Sequence, residues 1–215
     1  MNTEDLIENL GQELRPVAPL WPPGRRAAAW CIGAAVYLGL LVAVMSTANA
    51  RAGGAGVAFW ASQIAAVVMG LLASRAAFVS VVPGLSKRSR LWAAVAVAAL
   101  VWLATLVAAS PRDFEWAAVL TTRHEWVCVG FIIIGGAPLM WMLAVMLRRG
   151  APLHPAATAA FAALAVGALA NVGACLSLPH ANSAITFAWH GGVVLALVAV
   201  AALAGRFVFA WSAAR

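Results

Sequence analysis

Three cysteines and four histidines carry most of the chemical potential of this 215-residue chain. His124 and Cys128 are four residues apart, a spacing that on a helix stacks them on one face and suits two metal ligands. Cys175 closes the next apolar run, which travels back across the same thickness, so Cys128 and Cys175 are expected at one depth. Two thiols placed in this way can oxidise to a disulfide that reports the redox state of their compartment. Alternatively, the two thiolates with His124, His180 or Glu125 suit a soft or borderline ion such as zinc, cadmium or copper. A plainer reading stands beside both, because a cysteine inside a helical bundle packs as a small apolar side chain. There is no CxxC pair, the sharper redox or metal signal. Cys31 falls at the opposite end of the first apolar run and cannot join the pair. His190 falls in the last run, where a buried imidazole needs a polar partner. His154, flanked by Pro152 and Pro155, reads as a loop residue.

Catalytic signatures are missing from the sequence. It holds no HExxH, no phosphate-binding glycine loop, no dinucleotide fingerprint and no Ser/His/Asp set. A quinone-linked disulfide oxidase would want two cysteine pairs, and only one outer pair exists. The expectation is a protein that is not an enzyme and carries no cofactor, with a transient metal ion at the Cys/His cluster as the one exception.

The elements that must position these residues are apolar helices. The chain is 64% hydrophobic, its mean hydropathy is +0.93, and only 10% of residues are charged, against about 25% in soluble domains. The fold class expected is all-α, a six-helix transmembrane bundle with a short cytoplasmic N-terminal amphipathic helix. Spans are expected at 27–48, 57–79, 91–109, 124–147, 155–178 and 184–211. The domain division is a tail over 1–26 and a membrane domain over 27–215. The acidic opening and the several later apolar runs argue against a cleavable signal. The net charge of +7 does not suggest nucleic acid, because the basic residues cluster at span ends.

Those basic residues also set the orientation. Arg15, Arg25, Arg26, Arg75, Lys87, Arg88, Arg90, Arg148, Arg149, Arg206 and Arg215 fall on one side, against Arg51, Arg112 and Arg123 on the other. Both termini are therefore expected in the cytoplasm, and Cys128 and Cys175 near the outer face. Small residues at Gly70-x-x-x-Ser74 and Gly167-x-x-x-Asn171-x-Gly173 mark candidate helix-contact faces. Gly135-Gly136 with Pro138 should kink the fourth helix. No acid lies at mid-depth, where a transporter would place one to carry its ion. A small-molecule or metal-ion transporter that takes up its cargo at the outer Cys/His cluster is nonetheless the alternative reading.

The tail before the first span has a different character. Thr3 can cap a helix, and Leu6, Ile7, Leu10 and Leu14 fall on one face of it, opposite Glu4, Asp5 and Glu8, with Glu13 on the border. Pro16, Pro19, Pro22 and Pro23 then favour an extended tether. Such a helix is too short to be stable alone in water, so it should firm up against a partner. An anionic lipid surface would repel its acids, so a groove on a basic protein is the better fit.

The tail DLIENL…LRPVAPLWPPGRR (Asp5 to Arg26) enters six spans that carry Cys128, RRGAPLHP (Arg148 to Pro155), Cys175 and AWH (Ala188 to His190). In this arrangement the chain resembles the NrsF family (negative regulator of sigma F), inner-membrane anti-sigma factors of proteobacteria. The resemblance covers nearly the whole chain, and the tail and the RRGAPL turn are its most specific parts. It implies that the tail sequesters an extracytoplasmic-function sigma factor, the cognate partner, and releases it on a heavy-metal or oxidative envelope signal. It further implies that Cys128 and Cys175 take part in sensing. Family members often carry a Cys-Pro with acidic residues in the last outer loop, where this chain has CLSLPHANS (Cys175 to Ser183). A sigma factor is helix-rich with basic patches, which suits an acidic amphipathic helix. The oligomeric state is left open.

Overall fold

The computed structural model describes residues 2–4, 7–8, 11, 19–46, 56–84, 88–108, 123–150, 152–177 and 187–209. Among them there is no strand, and six helices are long and apolar enough to cross a membrane. They are α1 (Pro23–Met45), α2 (Val57–Ser80), α3 (Arg88–Ala108), α4, α5 (Pro155–Ser177) and α6. Two of them are interrupted. Helix α4 runs Arg123–Gly130, widens into a π-helical turn at Phe131–Gly135 and continues as Gly136–Arg148. Helix α6 opens with a π-helical turn at Phe187–Gly191 and continues as Gly192–Val208.

Local chemistry explains several of these ends. Pro23 is the first residue of α1, so the last tether proline starts the helix where the sequence suggested only a breaker. A first-turn proline has no N–H to lose and its φ is already helical. Pro155 opens α5 in the same way. After α2 the chain turns through Val81 to Gly84, where Gly84 takes φ +81°, a left-handed conformation that a residue with a Cβ resists. In α4 the expected break has a definite form. Pro138 cannot bond back to residue 134 and its ring crowds that carbonyl, and the widened turn just before it takes up the mismatch.

The bundle is built around α5. In its apolar stretch 67% is buried, against 17% in each of α1, α3 and α6, and it packs on α1, α2, α4 and α6. Its sequence, PAATAAFAALAVGALANVGACLS, explains this, because small side chains let several neighbours approach one backbone. A Cβ on Gly205 of α6 would lie 2.6 Å from the Pro155 carbonyl oxygen, and one on Gly70 of α2 would lie 3.0 Å from Leu169. The small-residue motifs of α2 and α5 thus serve contacts inside the chain.

Helix α1 shows why the surface is suited to lipid. Ala27, Trp30, Ala34 and Leu38 are buried, while Ile32, Val36, Leu40 and Val44, spaced four apart, are exposed. Both faces are apolar, the pattern of a helix with lipid on one side and protein on the other. Between helices the gain comes from packing and polar contacts, since lipid is as apolar as leucine. Trp30 is fully buried and its Nε1 donates to the Leu139 carbonyl at 3.3 Å, joining α1 to α4. Ser80 and Thr158 hydroxyls lie 2.6 Å apart, joining α2 to α5.

Candidate functional site

Helices α4 and α6 begin, and α5 ends, at one end of the bundle, and Cys128 and Cys175 both lie there. Both are buried. Their turns are packed together through Phe131 and Ile132 of α4 against Ala170 and Ala174 of α5. An edge-to-face pair of indoles, Trp126 and Trp189 at 4.6 Å between ring centroids, brings the starts of α4 and α6 together. The expected common depth of the two cysteines is consistent with this packing.

Around Cys175 the structure adds two partners. Nδ1 of His190 lies 2.6 Å from Oδ1 of Asn171 and 3.5 Å from Sγ of Cys175, and Cys175 Sγ is 3.9 Å from the same Oδ1. An amide oxygen only accepts, so His190 carries a proton on Nδ1 and donates it to Asn171. The Cys175 thiol can donate to that oxygen too, and as a thiolate it would face the Nδ1–H. His190 and Asn171 are themselves buried. This supplies the partner that a membrane-buried imidazole requires. Asn171 and Cys175 share a face of α5 because they are four residues apart. In the sequence Asn171 showed only as a member of a small-residue motif. The i, i+4 spacing was the available signal, but it does not reveal which residue of α6 comes opposite.

The backbone of His124 is helical and one turn before Cys128, but its side chain and that of Glu125 fall outside the described residues, as does His180 entirely. Among the described residues no group of three or more His, Cys, Asp or Glu side chains could hold a metal ion. Cys31 is half-buried far from this cluster, with Sγ 3.3 Å from the Ser74 hydroxyl.

At the opposite end three arginines finish three helices. Arg26 Nη2 donates to the Met146 carbonyl in the last turn of α4. Arg88 Nη2 donates to the Ser80 carbonyl closing α2 at 2.6 Å. Arg148 donates from Nε and Nη2 to the Val208 carbonyl closing α6, at 3.2 and 3.1 Å. A helix leaves its last carbonyls without intrahelical donors and carries partial negative charge there, so a guanidinium satisfies both needs. The clustering of basic residues at this end therefore has a structural role as well as a topological one.

The tail begins from this arginine rim. Thr3, Glu4, Ile7, Glu8 and Gly11 are helical, and all five are exposed. Of the tail residues expected to bind a partner, Ile7 and Glu8 are thus presented outward, while Leu6, Leu10, Glu13 and Leu14 lie outside the described residues. Leu20 and Trp21, just before α1, are exposed as well.

Comparison with known protein families gives a match over nearly the whole chain. The sequence model of a family described as NrsF, negative regulator of sigma F, matches residues 10–211. No curated protein and no solved structure matches the chain.

Proposed function

The chain belongs to the NrsF family of negative regulators of sigma F, and from that premise we propose that it holds an extracytoplasmic-function sigma factor at the cytoplasmic face of the bacterial inner membrane. The acidic tail is the holding element. Its helical residues Ile7 and Glu8 are exposed rather than packed into the bundle, which leaves them for a soluble partner. The family match starts at residue 10, so it takes in Leu10, Glu13 and Leu14. The excess of Arg and Lys at the tail end of the spans supports a cytoplasmic location for that end.

One contact supports the mechanism above the others. Helix α4 carries Cys128 in its first segment, and the carbonyl of Met146 in its last turn is held by Arg26, in the first turn of the helix that the tail leads into. A shift of α4 that begins near Cys128 is thereby delivered to the root of the tail. An envelope signal would act at Cys128 and Cys175 in one of two ways. An oxidant could take two electrons and two protons from the thiols to leave a disulfide, or a thiophilic ion could bind the thiolates. Either would bias a two-state bundle. A tenfold loss of sigma-factor affinity needs only about 1.4 kcal/mol of coupling.

The test is to replace Leu6, Leu10 and Leu14 together with Asp in the full chain and to isolate it from cells with its sigma factor. Loss of the sigma factor from the detergent-purified complex is expected. Unchanged co-purification would refute the tail as the holding element.

A further inference from the structure

The arginine end gathers positive charge that the bundle does not balance. From residue 14 to residue 112, and from residue 126 to residue 215, the sequence contains no Asp or Glu. Asp113 and Glu115 fall between α3 and α4, and Glu125 opens α4, at the other end of the helices. At the arginine end Arg26 is 5% exposed and lies 4.9 Å over the ring of Phe78. Its Nη2 is taken by Met146, but its Nη1 is buried with no hydrogen-bond partner among the described residues. A buried guanidinium nitrogen without an acceptor is costly, and its charge adds to the unbalanced positive potential of this end.

A cleft of about 560 Å³ opens in this corner. One wall is Trp21, Pro22 and Pro23, which lead into the turn that carries Arg26. Another is Arg148 and Arg149, which follow Met146 closely, and Val81 adds an apolar side. Arg149 is exposed and makes no described hydrogen bond to a helix end, in contrast to Arg148. The start of α1 also presents the positive end of its dipole here. The cleft therefore combines cationic donors with apolar walls at the ends of the membrane helices, where lipid headgroups lie. Its exposed Trp21 is of the type that favours that depth.

We propose that this cleft binds the phosphate of an anionic phospholipid, with Arg149 as its donor, Arg26 adding positive charge from the adjoining first turn of α1, and the acyl chains leaving past Trp21. Phosphate is the fitting partner, since it accepts several charge-assisted hydrogen bonds from arginines at once. Basic pockets at the cytoplasmic ends of membrane helices suit such headgroups. Of the tail carboxylates, those of Glu4 and Glu8 are exposed and are not part of the cleft wall. The site is independent of which sigma factor the tail holds.

The test uses the delipidated full-length chain in detergent and native mass spectrometry, with phosphatidylglycerol compared with phosphatidylcholine of the same acyl chains. Phosphatidylglycerol should be retained at about tenfold lower lipid concentration, and Arg149→Ala should remove most of that preference. Arg149 is exposed at a helix end, so this variant should fold. Equal retention of the two lipids, or an undiminished preference in Arg149→Ala, would overturn the site. So would inorganic phosphate displacing the lipid at equal concentration, which would identify a soluble anion as the occupant. In a full-length chain with Glu4, Asp5, Glu8 and Glu13 changed to the corresponding amides, lipid retention should be unchanged. A rise would assign the cleft to the tail and refute the proposal.

Discussion

Asn171 on α5 and His190 on α6 are joined by a 2.6 Å hydrogen bond within reach of the Cys175 sulfur. The bond makes Asn171 a positioning residue, since it fixes the ring and the proton-bearing nitrogen that Cys175 faces. Asn171→Leu keeps the volume but takes the acceptor from His190, and should cost roughly 1 kcal/mol. The double variant Asn171→Leu with His190→Phe should be less destabilised than the two single losses added together. Reversible unfolding in mixed detergent measures both, and strict additivity would show that the bond contributes nothing.

The cysteine pair is tested by function. Cys128→Ser and Cys175→Ser should each leave the sigma factor bound and abolish its release under oxidant or cadmium stress, read with a reporter of sigma-factor activity. Normal induction in both would return the two thiols to a packing role. His190→Phe should lower the sensitivity of the response without removing it, since the ring neighbours the sulfur and does not replace it.

The seam between α5 and α6 has no room to yield. The neighbours of Gly205 include the Pro155 carbonyl and the Ala156 Cα, which are backbone atoms. Gly205→Ala should therefore push the helices apart and cost about 1–3 kcal/mol. Gly39→Ala, where a Cβ meets nothing within 4 Å, should be neutral or slightly stabilising. Thermal unfolding of the two variants in the same detergent checks the contrast, and equal loss would show that the close approach is not limiting.

Arg148 caps α6 from a neighbouring helix. Arg148→Met keeps much of the apolar stem and removes the two donors to Val208, a change worth roughly 0.5–1 kcal/mol at a helix end. Hydrogen exchange should speed up in the last turn of α6, around Gly205 to Val208, and stay unchanged around Ser80 and Met146. Uniform acceleration at all three helix ends would mean that the arginines stabilise the bundle only as a whole.

The six helices were legible because each is a long apolar run bounded by basic or turn residues, and length alone selects such segments. The break in α4 was legible from Gly135-Gly136 and Pro138, although its form, an extra residue in the turn, was not. The widened turn that begins α6 had no proline to announce it. Cys128 and Cys175 could be placed at one depth by counting along two antiparallel helices. Counting along a helix does not give its rotation about its own axis, and that rotation is what brings His190 onto Asn171. The arginine caps were hidden for the same reason: a basic residue at a span end looks alike whether it faces phosphate or a neighbouring carbonyl.

The three caps differ in how far they reach along the chain. Arg88 holds Ser80 across 8 residues, Arg148 holds Val208 across 60, and Arg26 holds Met146 across 120. During biosynthesis the rim must then close in a fixed sequence, first the local latch, next the one that awaits the fourth helix, and last the one that awaits the sixth. A nascent chain truncated before α6 would leave Arg148 without its Val208 carbonyl, so this rim is complete only once the last helix has been made.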